Sequence, residues 1–66
     1  MTRKSIIELS EEEIHKLIKM LVKDIDNYNT LKVHPYNPDG SKNFTHIEIE
    51  GTKKEVNRVF ILIAYL

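Results

Sequence analysis

The chain has no cysteine and no tryptophan, and only two glycines and two prolines among its 66 residues. Without cysteine, neither a disulfide nor a zinc site built from thiolates can stabilise the fold. A core of this size seldom supplies more than about 3–5 kcal/mol, and small domains of this kind often gain stability from a second subunit. We therefore expect a single small domain over residues 1–66 that forms a homo-oligomer, with a dimer favoured.

The chain also lacks an excess of positive or negative charge, and it lacks a long apolar run. Ten basic and ten acidic residues cancel, so no global field attracts nucleic acid or an anionic membrane, and charge-driven binding has to be local. The longest apolar run, Val59 to Leu66, has eight residues, whereas a membrane-spanning helix needs about 20. Ile6 and Ile7 are followed at once by Glu8, which excludes the apolar core of a signal peptide. These features predict a cytoplasmic protein without membrane contact.

The residue patterns of an enzyme are absent. The serines fall near the start of the chain, at a helix cap and in a turn, and no glycine-rich phosphate loop exists. His34, His46 and Glu48 are predicted to share one sheet face, which is conceivable for a metal, but histidines on exposed strands are more often solvated or stacked on neighbouring rings. We expect no catalytic residues, no metal and no cofactor.

A first helix is predicted from Glu11 to near Asn27. Ser10 and Glu13 have the spacing of a capping box, in which each side chain binds the backbone of the other residue. The apolar residues of the segment recur at the spacing of one helical face. That face, which we expect to pack on a sheet or on a partner, consists of Ile14, Leu17, Ile18, Leu21, Val22 and Ile25.

A hairpin should follow, with Asn37-Pro38-Asp39-Gly40 as a type I turn and glycine bulge. Pairing back from this turn places Val33 opposite Thr45 and Leu31 opposite Ile47. Pro35 has no N–H to donate, so its strand should be an edge and the strand of residues 44–50 should be central.

The other face of this hairpin carries aromatic, histidine and charged residues. Since exposed rings of this kind are typical of covered surfaces, we predict a partner-binding face formed by Lys32, His34, Tyr36, Lys42, Phe44, His46 and Glu48.

A second capping box, Thr52 with Glu55, opens the final helix after Gly51. Its predicted core stripe is Val56, Val59, Phe60 and Ile63. The reverse side is also apolar in the last two turns, which indicates burial from both sides. In so short a chain the second cover is expected to be another subunit. The predicted oligomer interface is Ile61, Leu62, Tyr65 and Leu66.

The start of the final helix also suits an anion. Free backbone N–H groups, the positive end of the helix dipole and the side chains of Lys53 and Lys54 converge there with Thr52. The alternative is that Thr52 only caps the helix and that both lysines are solvated. Together with Lys32, Lys42, Tyr36 and Phe44 of the sheet, this corner could form a small nucleic-acid site.

Residues 3–9 are predicted to form a first strand, with Ile7 and Leu9 inward and Ile6 outward. The order β-α-β-β-α then predicts an α+β fold, a two-layer sandwich with a three-stranded antiparallel sheet and both helices on one face. The third strand lies between the first two. This order is most of a ferredoxin-like unit without its last strand, so the first strand is expected to be an open edge.

Residues 47–63, a strand and a glycine-preceded helix, resemble the closing strand and helix of a KH domain. The GxxG loop with which that family grips nucleic acid has no counterpart, because Gly40 and Gly51 are the only glycines. Nothing of that family's activity therefore carries over to these residues.

Two functions remain open at this point. The first is a small non-enzymatic binding or regulatory module that self-associates through its last helix and binds a partner protein on its exposed sheet face. The alternative is a nucleic-acid-binding protein that uses the aromatic and lysine side chains of that face with the start of the last helix. Isoleucine, lysine and asparagine make up 22 residues and alanine one, a bias that indicates an AT-rich bacterial or phage gene.

Overall fold

The computed structural model describes residues 2–66 and contains three strands and two α-helices. They are β1 (Thr2–Glu8), α1 (Glu11–Lys23), β2 (Lys32–Tyr36), β3 (His46–Thr52) and α2 (Lys53–Ile63), with a 3-10 turn, Ile25–Asn27, after α1. The sheet order is β1-β3-β2, and β3 is antiparallel to both neighbours. The α+β class, the β-α-β-β-α order and the central position of the third strand are therefore confirmed.

Both capping boxes form as predicted. Glu13 N–H donates to Ser10 Oγ and Ser10 N–H donates to Glu13 Oε1, so α1 begins at Glu11. The same reciprocal pair joins Thr52 and Glu55 at the start of α2. Each box satisfies N–H groups that the first turn of a helix leaves without a partner.

The register between β2 and β3 differs from the prediction. Val33 lies opposite Ile49, not Thr45, because residues 37–45 form a longer loop before β3 begins. The predicted turn itself is present: Gly40 N–H donates to the Asn37 carbonyl, and Gly40 has a φ of 75°. The Asn37 side chain then donates to the Asn43 carbonyl over 2.7 Å and holds the rest of the loop.

The displacement of this register is four residues, from Thr45 to Ile49 as the partner of Val33. Because side chains alternate with a period of two along a strand, an even displacement leaves every side chain on its predicted face. The predicted inward face of β3 was therefore right although its pairing was wrong. Ile47 and Ile49 are fully buried.

The two helices and the sheet share one hydrophobic core. Its buried members are Leu9, Ile14, Leu17, Leu21, Tyr28, Ile47, Ile49, Val56 and Val59. The helices thus contribute to the same cluster as the inward residues of β3. Among residues 2–66, no helix combines the length and the apolar character that a membrane span requires.

Only half of the predicted apolar face of α1 is in this core. Ile14, Leu17 and Leu21 are buried, but Val22 is 65% exposed and Ile25 is 60% exposed. Ile18 is also exposed. The face is wider than the surface that the sheet offers it, so α1 leaves an apolar strip beside β2.

The predicted core stripe of α2 also needs a correction. Val56 and Val59 are buried and Ile63 packs against the core, but Phe60 is exposed. Leu62 packs against the core in place of Phe60. The side of α2 that faces the core therefore carries Leu62, and not Phe60 as the sequence pattern had suggested.

Candidate functional site

One face of the sheet lies opposite the side that carries the buried residues Ile47 and Ile49. We call it the open face; it consists of the even-numbered strand residues, whose side chains alternate with the inward residues Ile47 and Ile49. Each of these residues is exposed or half-buried. Its members, strand by strand, are Thr2, Lys4, Ile6 and Glu8 of β1, His46, Glu48, Glu50 and Thr52 of β3, and Lys32, His34 and Tyr36 of β2.

Three rings lie side by side on the open face, at the end where β2 and β3 meet the loop of residues 37–45. The His34 and Tyr36 rings lie 5.9 Å apart and are nearly parallel, at 11°. Tyr36 lies opposite His46, and these two rings are 5.6 Å apart at 34°. We call His34, Tyr36 and His46 the aromatic row. Stacking of this kind is favourable beyond the area that it buries, so the row presents a preformed surface.

Neighbouring polar groups hold His46 in place. Its Nδ1 hydrogen-bonds with Thr45 Oγ1 over 2.8 Å, and its Nε2 lies 3.7 Å from Glu8 Oε2. One contact comes from the preceding residue and the other from β1. The imidazole therefore has a polar neighbour on each of two sides, Thr45 and Glu8.

The charges of the open face are mixed. Lys4 Nζ lies 3.2 Å from Glu48 Oε1, so one of the two lysines of the face already has a carboxylate partner. The face carries Lys4 and Lys32 against Glu8, Glu48 and Glu50. Two positive and three negative charges leave a small negative balance when the histidines are neutral, and the face is not a basic surface.

The predicted partner-binding residues are only partly together. The structure places Lys32, His34, Tyr36, His46 and Glu48 on the open face, whereas Lys42 and Phe44 lie in the loop before β3. The longer loop removes both from the strand. Sequence reasoning missed the contribution of Lys4 and Glu8, although the alternation of β1 that placed Ile6 outward also places them there.

Glu55 has a role that its capping box did not reveal. Only 6% of the residue is exposed, and its carboxylate accepts N–H bonds from Asn29 at 2.6 Å and from Thr30 at 3.1 Å. The Thr30 hydroxyl donates to it over 2.7 Å. The hydrogen bond from the Thr52 backbone, followed by that from the Thr30 side chain, lowers the pKa of Glu55 to about 2. The side chain thus ties the start of α2 to the segment before β2.

Gly51 makes room for this carboxylate. A Cβ atom at position 51 would lie 2.9 Å from Glu55 Oε1 and 3.2 Å from Leu31 Cδ1. Both distances are shorter than ordinary van der Waals contact. A glycine at position 51 therefore lets the side chains of Glu55 and Leu31 lie close to the backbone of β3.

The predicted anion site, Thr52 with Lys53 and Lys54, shares its position with that carboxylate. Thr52 N–H donates to Glu55 Oε1 and Glu55 N–H donates to Thr52 Oγ1, so two of the amides at the helix start are already bound. Both lysines are exposed. An incoming anion would meet the ionised carboxylate of Glu55, which the sequence pattern does not reveal.

A second polar cluster joins the end of α1 to α2. Arg58 donates from Nε and Nη2 to the two oxygens of Asp24, at 2.7 and 2.8 Å. The Tyr28 hydroxyl also donates to Asp24, over 2.7 Å. These bonds, from Arg58 first, hold the pKa of the Asp24 carboxyl well below its usual range. Burial, with the Asp24 contact second, raises the pKa of Tyr28 to about 12.

An apolar cleft lies between α1 and β2. Its volume is about 350 Å³. The exposed strip of α1 forms one wall, and β2 with the segment before it forms the other. The cleft is lined by Ile18, Leu21, Val22, Ile25, Tyr28, Asn29, Leu31, Val33 and Pro35.

The predicted oligomer interface is split between two environments. Ile61 and Tyr65 are well exposed, Tyr65 by 79%. Leu62 and Leu66 instead pack against the core. The exposed apolar surface at the end of the chain therefore consists of Ile61 and Tyr65, with Phe60 on an adjacent side of α2.

Comparisons of the chain with protein-family models, with curated proteins and with solved structures gave no match. Within residues 2–66, no three histidine or carboxylate side chains are grouped so as to hold a metal ion. The functional argument accordingly rests on the surfaces described above.

Proposed function

We propose that the protein is a small, non-enzymatic, cytoplasmic binding module that docks a partner protein on its open face. The observation that carries the proposal is the aromatic row, in which the rings of His34 and Tyr36 are stacked and that of His46 is tilted against Tyr36. Aromatic side chains are enriched at protein interfaces because they bury a large area and lose little conformational freedom. The row lies at the β2 edge of the open face, where the last β2–β3 pair, Tyr36 and His46, adjoins the loop of residues 37–45.

The charges around the row favour a protein over a nucleic acid. Binding to nucleic acid depends on lysine and arginine side chains that neutralise phosphates. Lys4 is paired with Glu48, and the carboxylates of the open face outnumber its lysines. Aromatic rings next to side chains of mixed charge match the composition of a protein interface, which combines aromatic residues with a polar rim.

We also propose that the chain self-associates through the end of α2. Ile61, Tyr65 and Phe60 expose apolar surface within six residues, and a core of this size is marginal by itself. Covering these side chains with a second subunit would bury apolar surface from both copies. Leu62 and Leu66, which pack against the core, would form the inner border of that contact.

Capture of the partner tests the first proposal. Tagged wild-type protein and the variant Tyr36→Ala with His34→Ala are incubated in parallel with lysate treated with nuclease, and bound proteins are compared. Val22→Ser, on the exposed strip of α1, is the matched control. We expect a partner that the control retains and the double variant loses. A protein bound equally by all three baits would place the binding surface elsewhere.

Salt separates the nucleic-acid alternative from this proposal. Phosphate contacts lose affinity steeply as salt rises, whereas a mixed interface around aromatic rings changes little. The purified chain is therefore examined by light scattering and by its ultraviolet absorbance ratio, with and without nuclease. Bound nucleic acid that dissociates at high salt, and whose loss follows Lys32→Ala, would support the alternative.

A further inference from the structure

The two edges of the sheet differ in how they are protected. β2 is a short edge strand that contains Pro35, a residue that blunts edge pairing because it cannot donate a hydrogen bond. β1 is seven residues long, has no proline, and runs opposite β3 without a bulge. Within residues 2–66, no strand pairs with its outer edge.

The alternation of hydrogen-bonded and non-hydrogen-bonded pairs along β1 shows which of its backbone groups face that edge. Leu9 N–H donates to the Thr45 carbonyl at 3.0 Å, and these residues continue the β1–β3 register. Bonded and non-bonded pairs alternate in an antiparallel ladder. The odd-numbered residues of β1 therefore bond to β3, and Lys4, Ile6 and Glu8 turn their N–H and C=O groups toward the open edge.

We propose that β1 of one chain pairs antiparallel with β1 of a second copy, in a register centred on Ile6. In this register Ile6 lies opposite Ile6 of the second copy, and Lys4 lies opposite Glu8 of the second copy on both sides of the two-fold axis. The edge thus offers an apolar pair flanked by two opposite-charge pairs, each of which stabilises a cross-strand contact. A register centred on Ser5 would place Lys4 opposite Ile6 and lose both charge pairs.

The exposed fractions of these side chains fit such a contact. Ile6 is 57% exposed although it is a large apolar residue in a strand. The side chain of Glu8 is 84% exposed and that of Lys4 is 57% exposed. Their existing contacts, with His46 and Glu48, lie toward β3 and leave the opposite side open to a second copy.

The side of α2 that carries Phe60 supports the same arrangement. Arg58 and Glu55 reach back to Asp24 and Asn29, so that side of α2 faces α1. Phe60 is two positions after Arg58, about 160° around a helix with 3.6 residues per turn. It therefore points away from α1, and α2 packs on both β1 and β3.

Edge pairing would bring the two copies of α2 side by side. Strands lie about 4.8 Å apart, so helices seated over β1 and β3 of each copy would be about 10 Å apart, close to the separation of packed helices. Phe60 and Ala64, four positions apart on this side of α2, would then meet the same residues of the second copy. This contact would cover Phe60, which the core of a single chain leaves exposed.

This inference rests on the self-association proposed above and adds to it a second, separate contact between the β1 strands of two copies. The chain contains no cysteine, so a single introduced thiol reports the register. Directly opposed residues of a bonded pair have Cα atoms about 5.5 Å apart, within the range that a disulfide spans. Ile6→Cys should therefore form a covalent dimer under mild oxidation.

Val22→Cys is the control for random collision, since Val22 is as exposed as Ile6 and lies on α1. Pairing makes the Ile6→Cys reaction intramolecular within the dimer, so we expect it to be roughly tenfold or more faster than the control, at a rate independent of protein concentration. Equal rates for the two variants would overturn the proposal. Faster cross-linking of Ser5→Cys than of Ile6→Cys would overturn the register.

Charge reversal provides a second test that needs no cysteine. Lys4→Glu alone and Glu8→Lys alone each place like charges opposite one another, and both should lower the mass in solution. The double variant restores opposite charges and should recover the dimer. Circular dichroism verifies that each variant keeps its helices. Equal mass for all variants would contradict the pairing.

The two self-association proposals can be refuted independently of each other. If Ile61→Glu with Tyr65→Glu yields monomers while Ile6→Cys cross-links no faster than its control, the contact at the end of α2 stands and the edge pairing falls. If Ile6→Cys cross-links and the double glutamate variant keeps its mass, the reverse holds. Partner capture through the aromatic row is scored independently of both.

Discussion

The Glu55 carboxylate accepts a hydrogen bond from the backbone N–H of Asn29, 2.6 Å away. The two residues are 26 positions apart in the chain, and their contact joins the first turn of α2 to the segment that leads into β2. A capping residue that normally satisfies one local N–H here also satisfies the backbone of a distant loop. Together with the pair Arg58 and Asp24, this contact fixes α2 against other parts of the chain.

Replacement of Glu55 by glutamine should destabilise the fold more than the same change at Glu13. Glu55 accepts from four donors, and an amide in its place would direct an NH2 group at some of them. Glu13 accepts only from the Ser10 backbone. Thermal unfolding followed by circular dichroism compares Glu55→Gln with Glu13→Gln. Equal shifts in Tm would show that the contacts with Asn29 and Thr30 contribute nothing.

Stability should fall in acid because of the same carboxyl group. The pKa of Glu55 is lowered from its ordinary value of 4.5 to about 2, so its contribution is fully present above pH 4.5 and is lost as the pH falls toward 2. Asp24, whose pKa is lowered as well, acts in the same direction. Urea unfolding between pH 6 and pH 2, in the wild type and in Glu55→Gln, measures the effect. The variant should lose less stability over this interval, and parallel curves would contradict the assignment.

Truncation within α1 should separate the buried from the exposed half of its apolar face. Leu17 is fully buried, and a leucine-to-alanine change in a core costs about 2–5 kcal/mol. Val22→Ala should change the free energy of unfolding by less than about 0.5 kcal/mol, since the residue is mostly exposed. Denaturant titration gives both values. A large loss for Val22→Ala would mean that a second subunit or another element covers the cleft.

The double variant Ile61→Glu with Tyr65→Glu should stay folded and lose the contact at the end of α2, so that its mass in solution falls below that of the wild type. Both side chains are exposed, so their replacement leaves the core intact while it places charge on the proposed contact. Light scattering at several concentrations gives the mass, and far-ultraviolet circular dichroism gives the helix content. The control Lys19→Glu, on the exposed side of α1, adds charge elsewhere. An unchanged mass for the double variant would exclude the end of α2 as an interface.

Local patterns were sufficient to predict most elements of the fold. The two capping boxes placed the first residues of α1 and α2, since a side chain three positions from its cap has one favourable geometry. Pro35 predicted an edge strand because it has no N–H. Alternation in residues 3–9 predicted which side chains of β1 face outward. Each of these depends on neighbours within a few residues.

Features that depend on distant contacts were not predictable from the pattern. The turn at Gly40 formed as expected, but the Asn37 side chain binds the Asn43 carbonyl and extends the loop, which moved Lys42 and Phe44 off the sheet. Glu55 looked like a local cap, yet it binds Asn29. The exposure of Val22 depends on how much of α1 the sheet covers. In each case a tertiary contact, which no local spacing records, decided the outcome.

The central proposal is that a partner protein docks on the open face. Once a partner has been captured, the most direct measurement is an amide chemical-shift map of the isotope-labelled chain during titration with that partner. We predict that the largest changes occur at His34, Tyr36 and His46 and that residues of α1 change little. Changes confined to Ile18, Val22 and Ile25 would contradict the proposal and place the partner in the cleft between α1 and β2.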